Sequence, residues 1–275
     1  MGFFRKEKAI DVKPLTDYFE EREGGELFNY AVKILSPQIF MGEIYIYESA
    51  QAADSCFKVD KYETIPKVYK KGKIYASTLL ELACEKGSGA AAFLLGILHE
   101  HGIGCSKSMK TAELWYSRAI DLVSYEGGEK AAVFVLAVAK ARSSGFDFST
   151  MTDEPGVGLA IALTSLRMKT GVLYEIVSEQ LKNNQEWLDE LVQLGYFILC
   201  NYAIKREVTS MCELAVCMFQ SNIAENGAVK RLFYSVGEEK IIKTGEKLLN
   251  RCIGLARSGD DKARYYLVNI LGMKL

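Results

Sequence analysis

A spacing that returns along the chain constrains its fold more than any other feature. The stretch 83–96 reads A-C-E-K-G-S-G-A-A-A-F-L-L-G, and 41 residues further on Gly128, Ala132 and Leu136 stand where Gly87, Ala91 and Leu95 stood. Gly259, Ala263 and Leu267 repeat the same internal spacing. Lacking a Cβ, the glycine can end one helix in a left-handed residue, and the helix that follows carries Ala and Leu four apart on one face. The small Ala lets a neighbouring helix approach, and Leu fills the gap beside it. A unit of this kind cannot bury its apolar face alone, so copies must stack on one another.

The middle unit predicts a complete helical hairpin. Residues 89–101 form its first helix, Gly102 and Gly104 give the backbone freedom for a tight turn, and Ser106 or Ser108 caps the second helix. Ala112, Trp115 and Ala119 share one face of that second helix, so Trp115 covers the hairpin while the alanines permit close contact. Before this unit, Ala76, Leu79 and Ala83 fit a second helix; after it, Ala132, Leu136, Ala137 and Gly145 fit a first helix and its turn. Only four prolines occur in 275 residues, which favours long helices and an all-α fold. Pro155 suits the first turn of a helix running to about residue 169, with Gly171 as its stop. Apolar periodicity continues over 172–183, 186–204, 207–225, 238–257 and 260–271. The 131 residues from Gly128 to Gly259 leave room for about three more hairpins, about six helix pairs in all.

At Ala91, Leu95, Gly96, Gly102, Gly104, Ala112, Trp115, Tyr116 and Ala119 the sequence resembles the Sel-one-like repeat family, a relative of the tetratricopeptide solenoids. The family pattern is Ala-x-x-x-Leu-Gly-x-x-Tyr-x-x-Gly-x-Gly, then Lys-Ala-x-x-Trp-Tyr-x-x-Ala-Ala. This chain departs from it with His99 at the usual Tyr, Ser108 at the Asp cap, Thr111 at the Lys and Ile120 at the second Ala. The resemblance implies a right-handed α/α superhelix. Its parts would be an N-terminal helical cap over 1–70, recognisable repeats over 71–145, degenerate repeats over 146–258 and a capping helix over 259–275. The segment 45–47 and the basic turn 67–73 interrupt the cap. The resemblance also implies a non-enzymatic scaffold or adaptor for protein–protein interaction, bacterial in origin. Within the family the alternatives are an immunity protein that neutralises a toxin and an effector directed at host cells. Some secreted members pair cysteines within each repeat, and that periodic pairing is missing here.

Composition removes several other classes. With 49% hydrophobic residues, 25% charged residues and a net charge of -1, the chain is neither disordered nor a wholesale polyanion binder. The longest uncharged stretch, 191–204, has 14 residues, short of the ~20 a membrane helix needs, so no membrane span is expected. The start Met-Gly-Phe-Phe-Arg-Lys lacks a signal-peptide core, which predicts a cytoplasmic location or export by a dedicated secretion machine. Seven cysteines (Cys56, Cys84, Cys105, Cys200, Cys212, Cys217, Cys252) without a Cys-x-x-Cys pair read as reduced, packed thiols. His99 and His101 are two apart and point to opposite sides of a helix, and His101 with Cys105 gives at most two ligands, so neither metal nor cofactor is expected. Lys67, Lys70, Lys71 and Lys73, and the stripe Lys240, Lys243, Lys247 and Arg251, read as solvated faces, not a nucleic-acid surface.

In solenoids of the kind it resembles, the position before the repeat Leu and its partner four residues on line the concave face. Here those positions are Leu94 and Leu98, Val135 and Ala139, and Tyr266 and Ile270, with His101 at the end of the first helix. They are largely apolar and unsuited to acidic tails, which predicts either a groove for a partner's amphipathic helix or extended segment, or burial by neighbouring turns or a second protomer. Two rival readings are a hydrolase using Glu48, Asp54, Asp189 or Glu190, and a structural module that self-associates through its apolar surfaces.

Overall fold

The computed structural model describes residues 22–47, 75–126, 129–144, 152, 154–219, 227–233 and 235–275. Most of the expected N-terminal cap lies outside these, including Glu48, Asp54, Cys56 and the basic turn 67–73, as do Gly128 and Gly145. Among the described residues the protein is mostly helical, with twelve α-helices and one β-hairpin. The N-terminal elements are α1 (Gly24–Leu35), β1 (Gln38–Phe40), β2 (Glu43–Tyr45) and α2 (Ala76–Glu85). Next come α3 (Gly89–His101), α4 (Met109–Glu126), α5 (Glu129–Ser143), α6 (Pro155–Ser165) and α7 (Val172–Leu181). The chain ends with α8 (Gln185–Ile204), α9 (Val208–Phe219), α10 (Gly227–Leu232), α11 (Glu238–Arg257) and α12 (Asp261–Tyr265), the last running into a π-helical turn, Tyr266–Ile270.

Helix ends follow the capping chemistry written in the sequence. Ser88 Oγ accepts from the Ala91 N–H at 3.2 Å, Ser108 Oγ from Thr111 at 3.2 Å, and Asp260 Oδ1 from Ala263 at 2.8 Å. Helix α3 stops at Gly102, whose φ of 64° is left-handed, and the Ile103 N–H then closes on the Leu98 carbonyl at 2.9 Å. The hairpin departs from the expectation of helix alone. Met41 and Gly42 both have positive φ, the geometry of a two-residue turn that matches strand twist. Ile39 and Ile44 face each other across it and are buried. Its β-branched and aromatic residues, preceded by Pro37 and divided by the Met41-Gly42 turn, explain why this segment is strand and not helix.

The hairpin α3/α4 forms as its sequence predicts, with one refinement. Trp115 is only half-buried against the core, while Tyr116 is the covered aromatic. The Tyr116 ring lies in the notch left by Gly96, where an added Cβ would overlap it. From there its hydroxyl donates to Glu100, which also takes Arg142 of α5, so the next helix is tied to this hairpin. Burial, with Glu100 beside it, pushes the Tyr116 hydroxyl pKa up, so the group stays a donor. Ala91, Leu95, Ala263 and Leu267 are fully buried, as the repeated spacing predicts, but Ala132 and Leu136 are only half-buried. In α5 the covered face instead carries Val133, Phe134, Ala137, Val138 and Ala141.

The pairing is not a plain sequential alternation. Helices α6 and α8 pack together with α7 between them in sequence, and α7 packs on α5. Likewise α9 pairs with α11, while α10 packs on α8. Glycine again permits the contact: a Cβ on Gly195 would lie 2.8 Å from the Ala160 carbonyl, and one on Gly245 2.7 Å from Met218. The N-terminal hairpin reaches the far end of the chain, where Ser235 Oγ donates to Gln38 at 2.9 Å and Lys247 Nζ to Glu43 at 2.7 Å. Among the described residues no single helix is long and apolar enough to cross a membrane; α6 with its following turn and α7 pass together only by length and composition, and are bent by 61°.

Substituting Gly96→Ala should destabilise the protein by about 1–3 kcal/mol, because the added Cβ would overlap the Tyr116 ring and force it to shift. In a double-mutant cycle with Tyr116→Ala, denaturant melts should show a smaller effect of the alanine once the ring is gone.

Candidate partner-binding groove

A cavity of about 300 Å³ opens where α1, α3, α5, α8 and α10 meet. Its walls are apolar: Phe28 from α1, Phe93 and Leu94 from α3, Phe134 from α5, and Leu194 and Phe197 from α8. Phe93 and Phe134 stand 41 residues apart, the repeat spacing itself, and their rings meet edge to face at 5.6 Å and 66°. Phe93 also packs on Tyr116 at 5.7 Å, which connects the groove wall to the Gly96 notch. Lys130 and Glu190 form an ion pair among the lining residues, and Lys130 Nζ lies 5.6 Å from the Phe134 ring centroid. The result is an apolar slot with a charged, half-exposed border.

Of the seven inner-face positions expected from the sequence, the structure brings only Leu94 into this groove. Leu98 and His101 are each 1% exposed and Tyr266 is 2% exposed, so these three belong to the interior and offer a partner no surface. Val135 is half-buried and lies outside the groove, Ala139 is exposed, and Ile270 is exposed on the π-helical turn. The reason is rotational. Almost every side of α3 is apolar, so periodicity could not say which side looks inward, and the side that does carries Phe93 and Leu94. The missed residues, Phe93 and Phe134, were detectable as an aromatic pair at the repeat spacing.

His101 shows what its position does instead. Its Nδ1 lies 3.3 Å from the Tyr202 hydroxyl, its ring meets that of Tyr202 edge to face at 5.8 Å, and its carbonyl accepts from Asn201 and Lys205. The absence of a side chain at Gly156 makes room for both rings. Burial, reinforced by Lys107, Arg142 and Lys205, lowers the His101 pKa to about 3, and its Nε2 has no partner. The imidazole is therefore neutral and pins the end of α3 to α8. His99 is half-exposed, with Nδ1 3.2 Å from the Ser106 carbonyl.

Other titratable groups are similarly tied down. Arg167 donates to Tyr196 at 2.9 Å and approaches Cys217 at 3.5 Å, while Cys217 donates to Tyr196 at 3.1 Å. Burial pushes the Cys217 thiol up to about 11 and raises Glu213, which accepts from Tyr266. Such a thiol is not a nucleophile near neutral pH. Cys84, Cys200, Cys212, Cys217 and Cys252 are buried and unpaired by disulfides; Cys105 is half-buried in the turn after α3. Of the carboxylates considered for hydrolysis, Asp189 pairs with Arg231 at 2.7 Å and Glu190 with Lys130. No group of three His, Cys, Asp or Glu side chains gathers at metal-binding distance among the described residues.

Comparison with known proteins gives no matching family model, no matching curated protein and no matching solved structure.

The buried imidazole predicts a pH dependence with a definite sign. Its folded pKa lies below the unfolded value of about 6.5, so on acidification the unfolded chain takes the proton first and stability falls between pH 6.5 and 3. The slope from this group approaches about 1.4 kcal/mol per pH unit. Urea melts of the wild type and of His101→Phe from pH 7 to pH 4 should show that component in the wild type and its loss in the variant.

Proposed function

We propose that the chain is a right-handed α/α solenoid of Sel-like hairpins that acts as a non-enzymatic protein-interaction scaffold. A partner segment inserts apolar side chains into the groove between α3, α5 and α8. The observation that carries this reading is the Phe93–Phe134 pair: two aromatic rings at the repeat spacing, on the first helices of successive hairpins, line one apolar slot. Tyr116 in the Gly96 notch supports the Sel-like hairpin, because both residues are signature positions of that repeat. The N-terminal hairpin, bridging α8 and α11, would fill part of the inner side of such a superhelix and leave the groove as what remains open. Its volume suits a few anchoring side chains of an amphipathic helix or extended peptide, with Lys130 and Glu190 meeting the polar border of the segment. The engagement of Asp189 and Glu190 in ion pairs supports a binding role over hydrolysis. Neither nucleic acid nor a cofactor is part of this reading.

The test is affinity capture from the source organism with three baits: the wild type, Leu94→Glu in the groove, and Leu114→Glu at a site 65% exposed outside it. Circular dichroism first confirms that both variants are folded. The expected outcome is a partner retained by the wild type and Leu114→Glu and reduced at least tenfold by Leu94→Glu, a change of about 1.4 kcal/mol or more. Equal recovery by all three baits would refute the groove. The identity of the captured protein separates an adaptor from an immunity protein or an effector.

A further inference from the structure

On another side of the molecule a second cavity, of about 610 Å³, lies between the β-hairpin, the end of α8 and the middle of α11. Three cations line it, Arg206, Lys247 and Arg251, against one carboxylate, Glu43. In a chain with a net charge of -1 this local excess stands out. Lys247 is already engaged, donating to Glu43 at 2.7 Å and to the Met41 carbonyl at 3.3 Å, so it clamps the hairpin turn and balances the acid. The guanidiniums of Arg206 and Arg251 have no ion-pair or hydrogen-bond partner among the described residues. The remaining walls are apolar or aromatic: Ile44, Tyr45, Ile204 and Leu248.

Arg206 adds an observation of its own. Helix α8 ends in a Schellman turn, with Arg206 N–H on the Ala203 carbonyl at 2.9 Å and Glu207 N–H on Tyr202 at 3.0 Å. The residue in the left-handed position of such a turn is ordinarily glycine or asparagine, yet here it is arginine, with φ 65°. Arg206 is exposed, so packing does not account for the strain, and Lys205 already supplies a positive charge at the same helix end. A side chain that breaks a local rule without improving packing points to use by a ligand.

We propose that this cavity binds a small phosphate monoester, its phosphate held by the forked donors of Arg206 and Arg251 and its apolar or planar part lying against Tyr45, Ile44 and Leu248. Guanidinium suits this task because its planar donors match phosphate oxygens in pairs. The size of the cavity falls in the range for small-molecule sites, roughly 300–1,000 Å³. The site is distinct from the apolar groove and does not depend on what the groove binds.

Calorimetric titration of the full chain with phenyl phosphate, adenosine monophosphate and inorganic phosphate tests the proposal. At least one of the two esters should bind at least tenfold more tightly than inorganic phosphate, and affinity should fall as salt rises. Arg251→Gln and Arg206→Gly should each weaken ester binding at least tenfold, while Lys240→Gln, on the same helix outside the cavity, leaves it unchanged. Arg206→Gly carries the sharper readout, since glycine relieves the turn: the melting temperature should hold or rise while binding is lost. The proposal is overturned if no ester binds at millimolar concentration, or if Arg206→Gly lowers the melting temperature and spares binding. It also fails if a single-stranded oligonucleotide binds more tightly than either ester and loses affinity in Lys240→Gln, which would make the basic face of α11 the site.

Discussion

Close packing of helices at glycine is the constraint on which the arrangement rests. In α3/α4, α6/α8 and α9/α11 one helix carries a glycine where the partner crosses, at Gly96, Gly195 and Gly245, and a Cβ at any of the three would meet atoms already in place. Removing that one carbon brings many surrounding atoms into dispersion contact, each weak and together large. At Gly96 the consequence extends outward. The notch admits the Tyr116 ring, Tyr116 packs on Phe93 at 5.7 Å, and Phe93 meets Phe134 of α5 at 5.6 Å. The groove wall is thus positioned by a residue with no side chain.

A stack of repeats that touched only its sequence neighbours would have no contacts at large separation. This chain has several. Gln38 meets Ser235 across 197 positions, and Glu43 meets Lys247 across 204. The small β-hairpin therefore couples the N-terminal helices to the C-terminal ones, and the closure entropy of so long a loop is recovered only when both ends are in place. Such long-range contacts make folding slower and more cooperative than independent propagation along a rod would be. Both cavities owe their shape to this N-terminal unit: α1 walls the apolar groove, and β2 with its turn walls the cationic one.

Polar groups in the interior fix how distant helices register. His101 and Tyr202 join α3 to α8, and Arg167, Tyr196 and Cys217 join the end of α6 to α8 and α9. Buried hydrogen bonds of this kind penalise slippage more than apolar contact does, because a displaced helix would leave further donors and acceptors unpaired. Exposed ion pairs such as Lys243 with Glu239 contribute little to stability.

Local chemistry was legible in the sequence alone. Serine and aspartate caps, the glycine stop at Gly102, the Pro155 start and the helix spans from 76 to 219 and from 238 to 257 follow from propensities and hydrogen-bonding groups within a few residues of one another, whereas the short helix Gly227–Leu232 escaped the periodicity. The β-hairpin was readable in the same way from its two strand runs and Met41-Gly42 turn, although the helical periodicity around it masked the signal. The inner face was not. Helix α3 is apolar on nearly all sides, so Leu98 and His101 could not be told from Leu94 until neighbouring helices covered the first two and left the third at the groove. Nor could sequence alone assemble Arg206, Lys247 and Arg251, or bring Glu43 to Lys247, because their meeting depends on how helices and hairpin dock across some 200 residues. Short-range hydrogen bonding and side-chain period determined the helices; only the tertiary packing of surfaces distant along the chain decided which of their faces became cavities.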